Sequence, residues 1–153
     1  MGSIYPVVLT VHNILRWVIV LMAVVALFRA YSGWVGRRAW TSLDRKVSLF
    51  FTSAMDVQFL FGLILYLWLS PITRLAWQNF GAAMGDAVAR FFFLEHALYM
   101  LLAVIFVHVG SAAARKAGEP STRHKRAALW FTLAVLTIIL GMPWSRPLLP
   151  GLG

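Results

Sequence analysis

Four long apolar runs constrain this chain more than any other feature of its sequence. They lie at about residues 7–28, 47–69, 91–114 and 127–142. An α-helix needs about 20 apolar residues to cross roughly 30 Å of hydrocarbon, and the first three runs exceed that length. The fourth run is shorter and ends before Pro143, with Trp144 suited to a membrane interface. We therefore predict an all-α integral membrane protein, with one domain over residues 1–153.

The composition supports this assignment. Hydrophobic residues make up 61% of the 153 residues and charged residues 12%, whereas soluble globular chains are roughly half apolar and about a quarter charged. The apolar runs leave no room for a sizeable soluble core beside them. The sequence contains no cysteine, which excludes disulfides, thiolate metal sites, cysteine nucleophiles and covalent c-type haem attachment.

The basic residues predict how the chain is oriented in the membrane. Ten of the 14 Lys and Arg residues lie in two connecting segments, residues 29–46 and 115–126. An excess of Lys and Arg marks cytoplasmic loops. We therefore expect these segments inside and both termini outside, in the cytoplasmic (inner) membrane of a bacterium. The same distribution argues against a nucleic-acid-binding module, which would spread the net charge of +9 over a polar fold.

Short connections between successive runs predict an up-down-up-down four-helix bundle, because they favour antiparallel neighbours. In that arrangement the first and third helices face each other across the diagonal. Between the second and third runs, apolar residues recur at near-helical spacing over residues 72–84. They predict a helix that lies flat on the outer surface, although Gly81 and Gly85 lower its helical propensity.

Polar side chains within the apolar runs are the candidate functional residues, because a charge at the centre of a membrane costs about 2.5–3.5 kcal/mol. They are His12 and Arg16 in the first run, Asp56 and Gln58 in the second, and Glu95, His96 and His108 in the third. At about 1.5 Å per residue, His12 and His96 lie at one level in the outer third of the membrane. Arg16 and Asp56 lie about one helical turn deeper, and Arg16 shares a helix face with His12.

Two histidines at one level on facing helices predict a site for b-type haem. Haem iron takes axial ligands from the protein and sits in an apolar slot. His12 and His96 are the candidate ligands, and Arg16 is a candidate partner for a propionate, with Arg74 and Arg90 as alternatives nearer the surface. Candidate aromatic residues for the slot are Phe91, Phe92, Phe93, Tyr99 and Trp17. The alternative interpretation is that each histidine hydrogen-bonds a neighbouring helix.

Two other histidines are weighed in the same way. His108 is a further candidate metal ligand, but about 120° of helical rotation separates it from His96, so the two do not share a face. This argues against a second haem. His124 lies in a basic loop, where we expect it to be solvated. Three glycines are interpreted as positions of close helix contact: Gly62, Gly110 and Gly141.

The charged residues Arg16, Asp56 and Glu95 leave two interpretations open. They form a buried ion pair or triad that fixes the helix arrangement, or they take part in quinone or proton handling. The sequence has no Gly-rich phosphate loop and none of the short motifs of zinc proteases or serine hydrolases. Hydrolysis is therefore not among the predicted activities.

Several short motifs resemble those of a known group of proteins. The sequence reads V-H-N-I-L-R-W at residues 11–17, A-Y-S-G-W at residues 30–34 and D-V-Q-F-L-F-G at residues 56–62. An E-H pair then opens the third run, and H-K-R precedes the fourth. Over nearly the whole chain, this pattern resembles that of short bacterial four-helix membrane proteins commonly labelled cytochrome b-like. The resemblance implies a haem-binding electron-transfer protein, with His12 and His96 at matching positions.

The leading hypothesis is a small b-type cytochrome-like membrane protein, an electron carrier or subunit rather than a stand-alone enzyme. We expect it to pass electrons within a respiratory or photosynthetic membrane, with quinone as a candidate cofactor and other membrane or respiratory-complex subunits as partners. Two alternatives stay open. One is a non-catalytic accessory or assembly subunit of a larger membrane complex, and the other is a small proton or solute transporter that uses Asp56 and Glu95.

Overall fold

A computed structural model describes residues 4–144 of the chain. In order, its α-helices are α1 (Ile4–Val35), α2 (Ser42–Ile64), α3 (Pro71–Gln78), α4 (Phe80–Gly85), α5 (Ala87–Arg90), α6 (His96–Lys116) and α7 (Pro120–Gly141). One π-helical segment, Leu65–Leu69, continues α2, and another, Phe91–Glu95, leads into α6. No strand occurs within the described residues, so the prediction of an all-α fold is confirmed.

Four of the helical segments are long and apolar enough to cross a membrane. They are Ile4–Val35, Ser42–Leu69, Ala87–Lys116 and Pro120–Gly141. Each contains one of the predicted apolar runs, except that the last ends one residue before residue 142. The predicted number of long apolar helices is thus confirmed, and the helices extend beyond the apolar runs into the basic segments.

The start of α2 is fixed by a capping box. The Asp44 carboxylate accepts a hydrogen bond from the Thr41 backbone N–H at 2.8 Å, while the Thr41 hydroxyl accepts from the Asp44 N–H at 3.4 Å. Asp44 also forms an ion pair of 2.8 Å with Arg29 near the end of α1. The buried carboxylate therefore ties the end of one long helix to the beginning of the next.

The four long helices pack around a common core. Helix α1 contacts α2 and α7, and α6 contacts the same two helices. Small residues allow these backbones to approach closely, and the buried alanines are Ala23, Ala26, Ala30, Ala103, Ala114, Ala127, Ala128 and Ala134. A Cβ at Gly110 would lie 2.7 Å from Cβ of Trp130, so this glycine marks a close contact between α6 and α7, as predicted.

The segment between α2 and α6 is helical, but not as one helix. Asn79 ends α3 and caps α4, its side chain accepting from the Ala82 N–H at 3.1 Å. Asp86 does the same for α5, accepting from the Ala89 N–H at 2.7 Å. The predicted helix over residues 72–84 is therefore divided at Asn79, because this side chain satisfies the start of a new helix.

His124 is not solvated, and the prediction for this residue was wrong. It is 1% exposed, its ring lies 4.8 Å from the Trp40 ring, and Nε2 is 3.4 Å from the Ala39 carbonyl oxygen. A Cβ at Gly33 would overlap the His124 ring. The reason is that α7 already begins at Pro120, so His124 lies inside the helix and on its buried face.

Candidate functional site

A cavity of about 770 Å³ lies among the four long helices, near the first residues of α1 and α6. Its walls come from α1, α2, α6, the end of α7 and the start of α3. Most of the lining is apolar. The polar or charged side chains on it include Thr10, His12, Asn13, Arg16, Gln58, Ser70, Thr73 and His96. Four of the seven sequence-predicted site residues therefore share one cavity, which has the size and lining usual for a small-molecule or cofactor site.

His96 is held by the end of α7. Its Nδ1 atom lies 2.6 Å from the carbonyl oxygen of Gly141. A carbonyl oxygen only accepts, so Nδ1 carries a proton and Nε2 of the neutral ring carries a lone pair. Gly141 is the last residue of α7, where the helix no longer supplies a donor for this carbonyl. The helix end thus fixes both the tautomer and the direction of the His96 ring.

His12 is held by Gln58 on α2. The Gln58 side-chain amide donates to the His12 backbone carbonyl at 3.0 Å and lies 3.4 Å from Nε2 of the His12 ring. Since the amide nitrogen only donates, Nε2 of His12 accepts and carries a lone pair. The buried Nδ1 of His12 has no hydrogen-bond partner among the residues that the structure describes.

The two histidines come together across the cavity. Their ring centroids are 6.4 Å apart and their planes are inclined by 71°. The His12 ring fits against α2 because residue 62 is glycine: a Cβ there would lie 3.2 Å from Cε1 of His12. The close contact predicted for Gly62 is therefore with a histidine ring. Both rings line one mostly apolar cavity, in which Nε2 of His12 accepts from the Gln58 amide and Nε2 of His96 carries a lone pair.

Arg16 supplies positive charge to the same cavity. It lies one turn after His12 on α1, lines the cavity and is 9% exposed. Its guanidinium carbon lies 5.9 Å from the centroid of the Trp17 ring. A buried guanidinium beside two neutral imidazoles suits a ligand that carries negative charge.

Aromatic rings cover the α6 side of the cavity. Phe91 and Phe92 each place a ring 6.0 Å from the His96 ring, and Phe92 and Phe93 line the cavity itself. Tyr99 and Trp17, which the sequence had suggested for a slot, are not among the described lining residues. Of the predicted aromatic residues, those in the segment that precedes α6 line the cavity, and Tyr5, Phe59 and Tyr66 add aromatic rings from α1, α2 and the segment after it.

The other three predicted residues lie elsewhere. Asp56 pairs with His108, with Nε2 of His108 3.4 Å from Oδ1 of Asp56, and both side chains are about half exposed. Glu95 pairs with Arg90 at 2.9 Å near the cavity end of the bundle. Asp56 and Glu95 therefore pair with His108 and Arg90, so the first of the two interpretations left open, a buried ion pair or triad with Arg16, does not describe these two residues.

Two contacts of the site were not anticipated from the sequence. The Gly141 carbonyl that holds His96 is a backbone group, and only the helix end before Pro143 could have indicated a free acceptor there. Gln58 was identified as an intramembrane polar residue, but its contact with His12 required knowing which faces of α1 and α2 meet. Within residues 4–144, no three His, Cys, Asp or Glu side chains converge to hold a bare metal ion.

Comparisons with known proteins add no assignment to this geometry. No protein-family model, no curated protein and no solved structure matches the chain.

Proposed function

We propose that the protein is a small membrane b-type cytochrome, which binds haem between His12 and His96 and transfers electrons. The observation that carries this proposal is the pair of imidazoles that line one cavity, with a lone pair on Nε2 of His96 and with Nε2 of His12 contacted by the Gln58 amide. Haem iron is held in this way by axial imidazole nitrogens, and each ligating ring usually donates its other N–H to a carbonyl or carboxylate. The contact of His96 with Gly141 has that form.

The spacing of the pair supports a shared metal, because imidazole nitrogens bind metals at about 2.0–2.1 Å and the two ring centroids are 6.4 Å apart. To hold a metal through Nε2, His12 would exchange its contact with the Gln58 amide for a bond to that metal. Gln58 keeps its second hydrogen bond, to the His12 carbonyl.

Arg16 and the apolar lining of the cavity also have roles in this proposal. When bound, haem supplies reversible one-electron chemistry at its iron. Arg16 would offset the negative charge of a propionate, and the apolar lining would keep water from the ring. Quinone, as a partner that exchanges electrons with the haem, is compatible with the same membrane setting.

The membrane placement rests on the long helices and on the basic residues. The contacts pair early residues of each long helix with late residues of the next, as in His12 with Gln58 and His96 with Gly141, which supports an up-down-up-down bundle. Lys125 lies 5.7 Å from the Trp34 ring, so the two basic segments meet at one end. We place that end in the cytoplasm of a bacterium and both termini outside.

The transporter alternative receives less support. A proton pathway through Asp56 and Glu95 needs these groups to face a common route, and they belong to separate ion pairs on different parts of the surface. The accessory-subunit alternative is compatible with the cavity only if the cavity serves packing.

The test is a visible spectrum of protein purified in mild detergent after growth with ample haem. The proposal expects a reduced-minus-oxidised spectrum of the b type, lost in His12→Ala and in His96→Ala. His108→Ala is the matched control, because His108 lies outside the cavity, and it should keep the spectrum. Colourless wild-type protein, or a spectrum unchanged in both cavity variants, would refute the proposal.

A further inference from the structure

The polar pair formed by Asp56 and His108 lies on the outside of the bundle, between α2 and α6. The two side chains are 50% and 49% exposed. The exposed residues near them on the same two helices are mostly apolar, including Leu60, Leu101 and Ile105. A half-exposed acid and base thus interrupt a surface that otherwise suits lipid.

A second contact orients the His108 ring toward Asp56. Nδ1 of His108 lies 2.9 Å from the Val104 carbonyl oxygen, which only accepts, so Nδ1 carries a proton. Nε2 lies 3.4 Å from a carboxylate oxygen of Asp56. An acid and a base thus lie side by side on this surface.

The position of the pair makes contact with lipid unfavourable. Asp56 lies nine residues into the apolar run that begins at Val47, or about 14 Å at 1.5 Å per residue. That is near the middle of a hydrocarbon layer roughly 30 Å thick. Ionisable groups at this depth normally face protein or a water-filled cavity.

We infer that this surface of α2 and α6 is the interface of a homodimer, in which Asp56 of each copy pairs with His108 of the other. The inference rests on the membrane placement proposed above, but not on haem. The choice of a second copy as the partner follows from two-fold symmetry, which sets the acid of one copy against the base of the other. A two-fold axis along the membrane normal sets α2 of one copy against α6 of the other, at equal depth.

Asp56 and His108 contact each other within one chain, so the two side chains already lie at the same depth in the membrane. The two-fold operation therefore brings each Asp56 carboxylate beside two His108 rings, and the single Nε2 atom of each ring contacts either its own chain's carboxylate or that of the other copy. This arrangement is complementary to itself, as a two-fold interface requires. It needs no other polar residue. Ser53, one turn before Asp56, is small and exposed, which allows the backbones to approach.

The sequence contains no cysteine, so a cysteine introduced at one position is the single thiol available for cross-linking. Ser53→Cys places a single thiol on the proposed interface. Val24→Cys is the control, because Val24 is exposed and lies two turns before Tyr31, whose hydroxyl bonds Thr132 on the α1–α7 side. Each variant is treated in lipid vesicles with a short bifunctional thiol reagent.

We expect a cross-linked dimer for Ser53→Cys and none for Val24→Cys. Combining Ser53→Cys with Asp56→Asn should raise the protein-to-lipid ratio at half-dimerisation about tenfold, since each of two symmetric contacts contributes roughly threefold. Asp56 is half exposed, so this change leaves the monomer fold intact.

Three results would overturn the inference: equal cross-linking of the two cysteine variants, a monomer at every protein-to-lipid ratio, or no effect of Asp56→Asn. Cross-linking in native membranes to a different protein only would also overturn it, in favour of a heteromeric interface. Resistance to alkaline extraction from membranes, measured separately, tests the membrane placement. The visible spectrum separately tests haem binding.

Discussion

The Nδ1 atom of His96 donates a hydrogen bond to the carbonyl oxygen of Gly141 over 2.6 Å, so the end of α7 orients a ring carried by α6. This contact leaves the lone pair of Nε2 available on a ring that lines the cavity. It also makes the site depend on how closely α6 and α7 approach. That dependence can be tested without changing either histidine.

Gly141→Ala should separate the ends of these two helices. The added Cβ would lie 2.6 Å from Cε of Met100 and 2.8 Å from Cβ of Tyr99. Overpacking of this kind costs about 1–3 kcal/mol, so we expect a lower melting temperature in detergent and weaker haem binding. Gly118→Ala is the control, because nothing lies within 4 Å of its Cβ. Equal melting temperatures and haem affinities for the two variants would contradict this.

Gln58→Leu should leave haem binding intact or strengthen it. Its amide lies 3.4 Å from the Nε2 atom of His12 and competes there with iron. Losing a hydrogen bond of about 1 kcal/mol should tighten haem binding about fivefold in a haem titration. The exposed Gln78→Leu serves as the control. A loss of affinity beyond tenfold would mean instead that Gln58 positions the His12 ring for binding.

Arg16→Leu should lower the midpoint potential of the bound haem. A nearby cation disfavours the ferric state, which carries one more positive charge than the ferrous state, so its removal favours oxidation. We expect a fall of about 40 mV, equivalent to about 1 kcal/mol, in a spectroscopic redox titration. Arg16→Lys keeps the charge and should change the potential far less. An unchanged or higher potential in Arg16→Leu would show that Arg16 does not act on the haem.

Asp44→Ala should destabilise the connection between α1 and α2. The change removes the capping box of α2 and the 2.8 Å ion pair with Arg29. We expect a loss of about 2 kcal/mol in unfolding free energy, measured by denaturation in mixed micelles. Glu119→Ala, at an N-cap position without a side-chain hydrogen bond, should have almost no effect. Similar losses in both variants would contradict the assigned role.

The four long helices could be predicted from the sequence because the lengths of apolar runs report them directly. The meeting of His12 and His96 followed from depth alone, since both residues lie about five residues into their runs. Depth does not report rotation about the helix axis, and that is why the pairing of Arg16 with Asp56 failed. Gln58 faces His12, and Asp56, two residues earlier, is rotated by about 200° to the outside.

The prediction that His124 lies in a solvated loop failed for a different reason. The basic residues around it suggested a loop, but Pro120 is well suited to the first turn of a helix and marks the true start of α7. Once the helix begins there, residue 124 falls on the buried face and its basic neighbours do not. Pro120 therefore indicates the start of α7 better than the basic composition of the segment does.

If His12 and His96 both hold one haem, the loss of either ring changes the coordination of its iron. The most direct measurement is the spin state of ferric haem bound to wild type, His12→Gly and His96→Gly, each with and without added imidazole. We expect six-coordinate low-spin haem in wild type, five-coordinate high-spin or absent haem in each variant, and recovery of the low-spin spectrum with imidazole. A wild type that binds no haem, or variants that stay low-spin without imidazole, would contradict the claim.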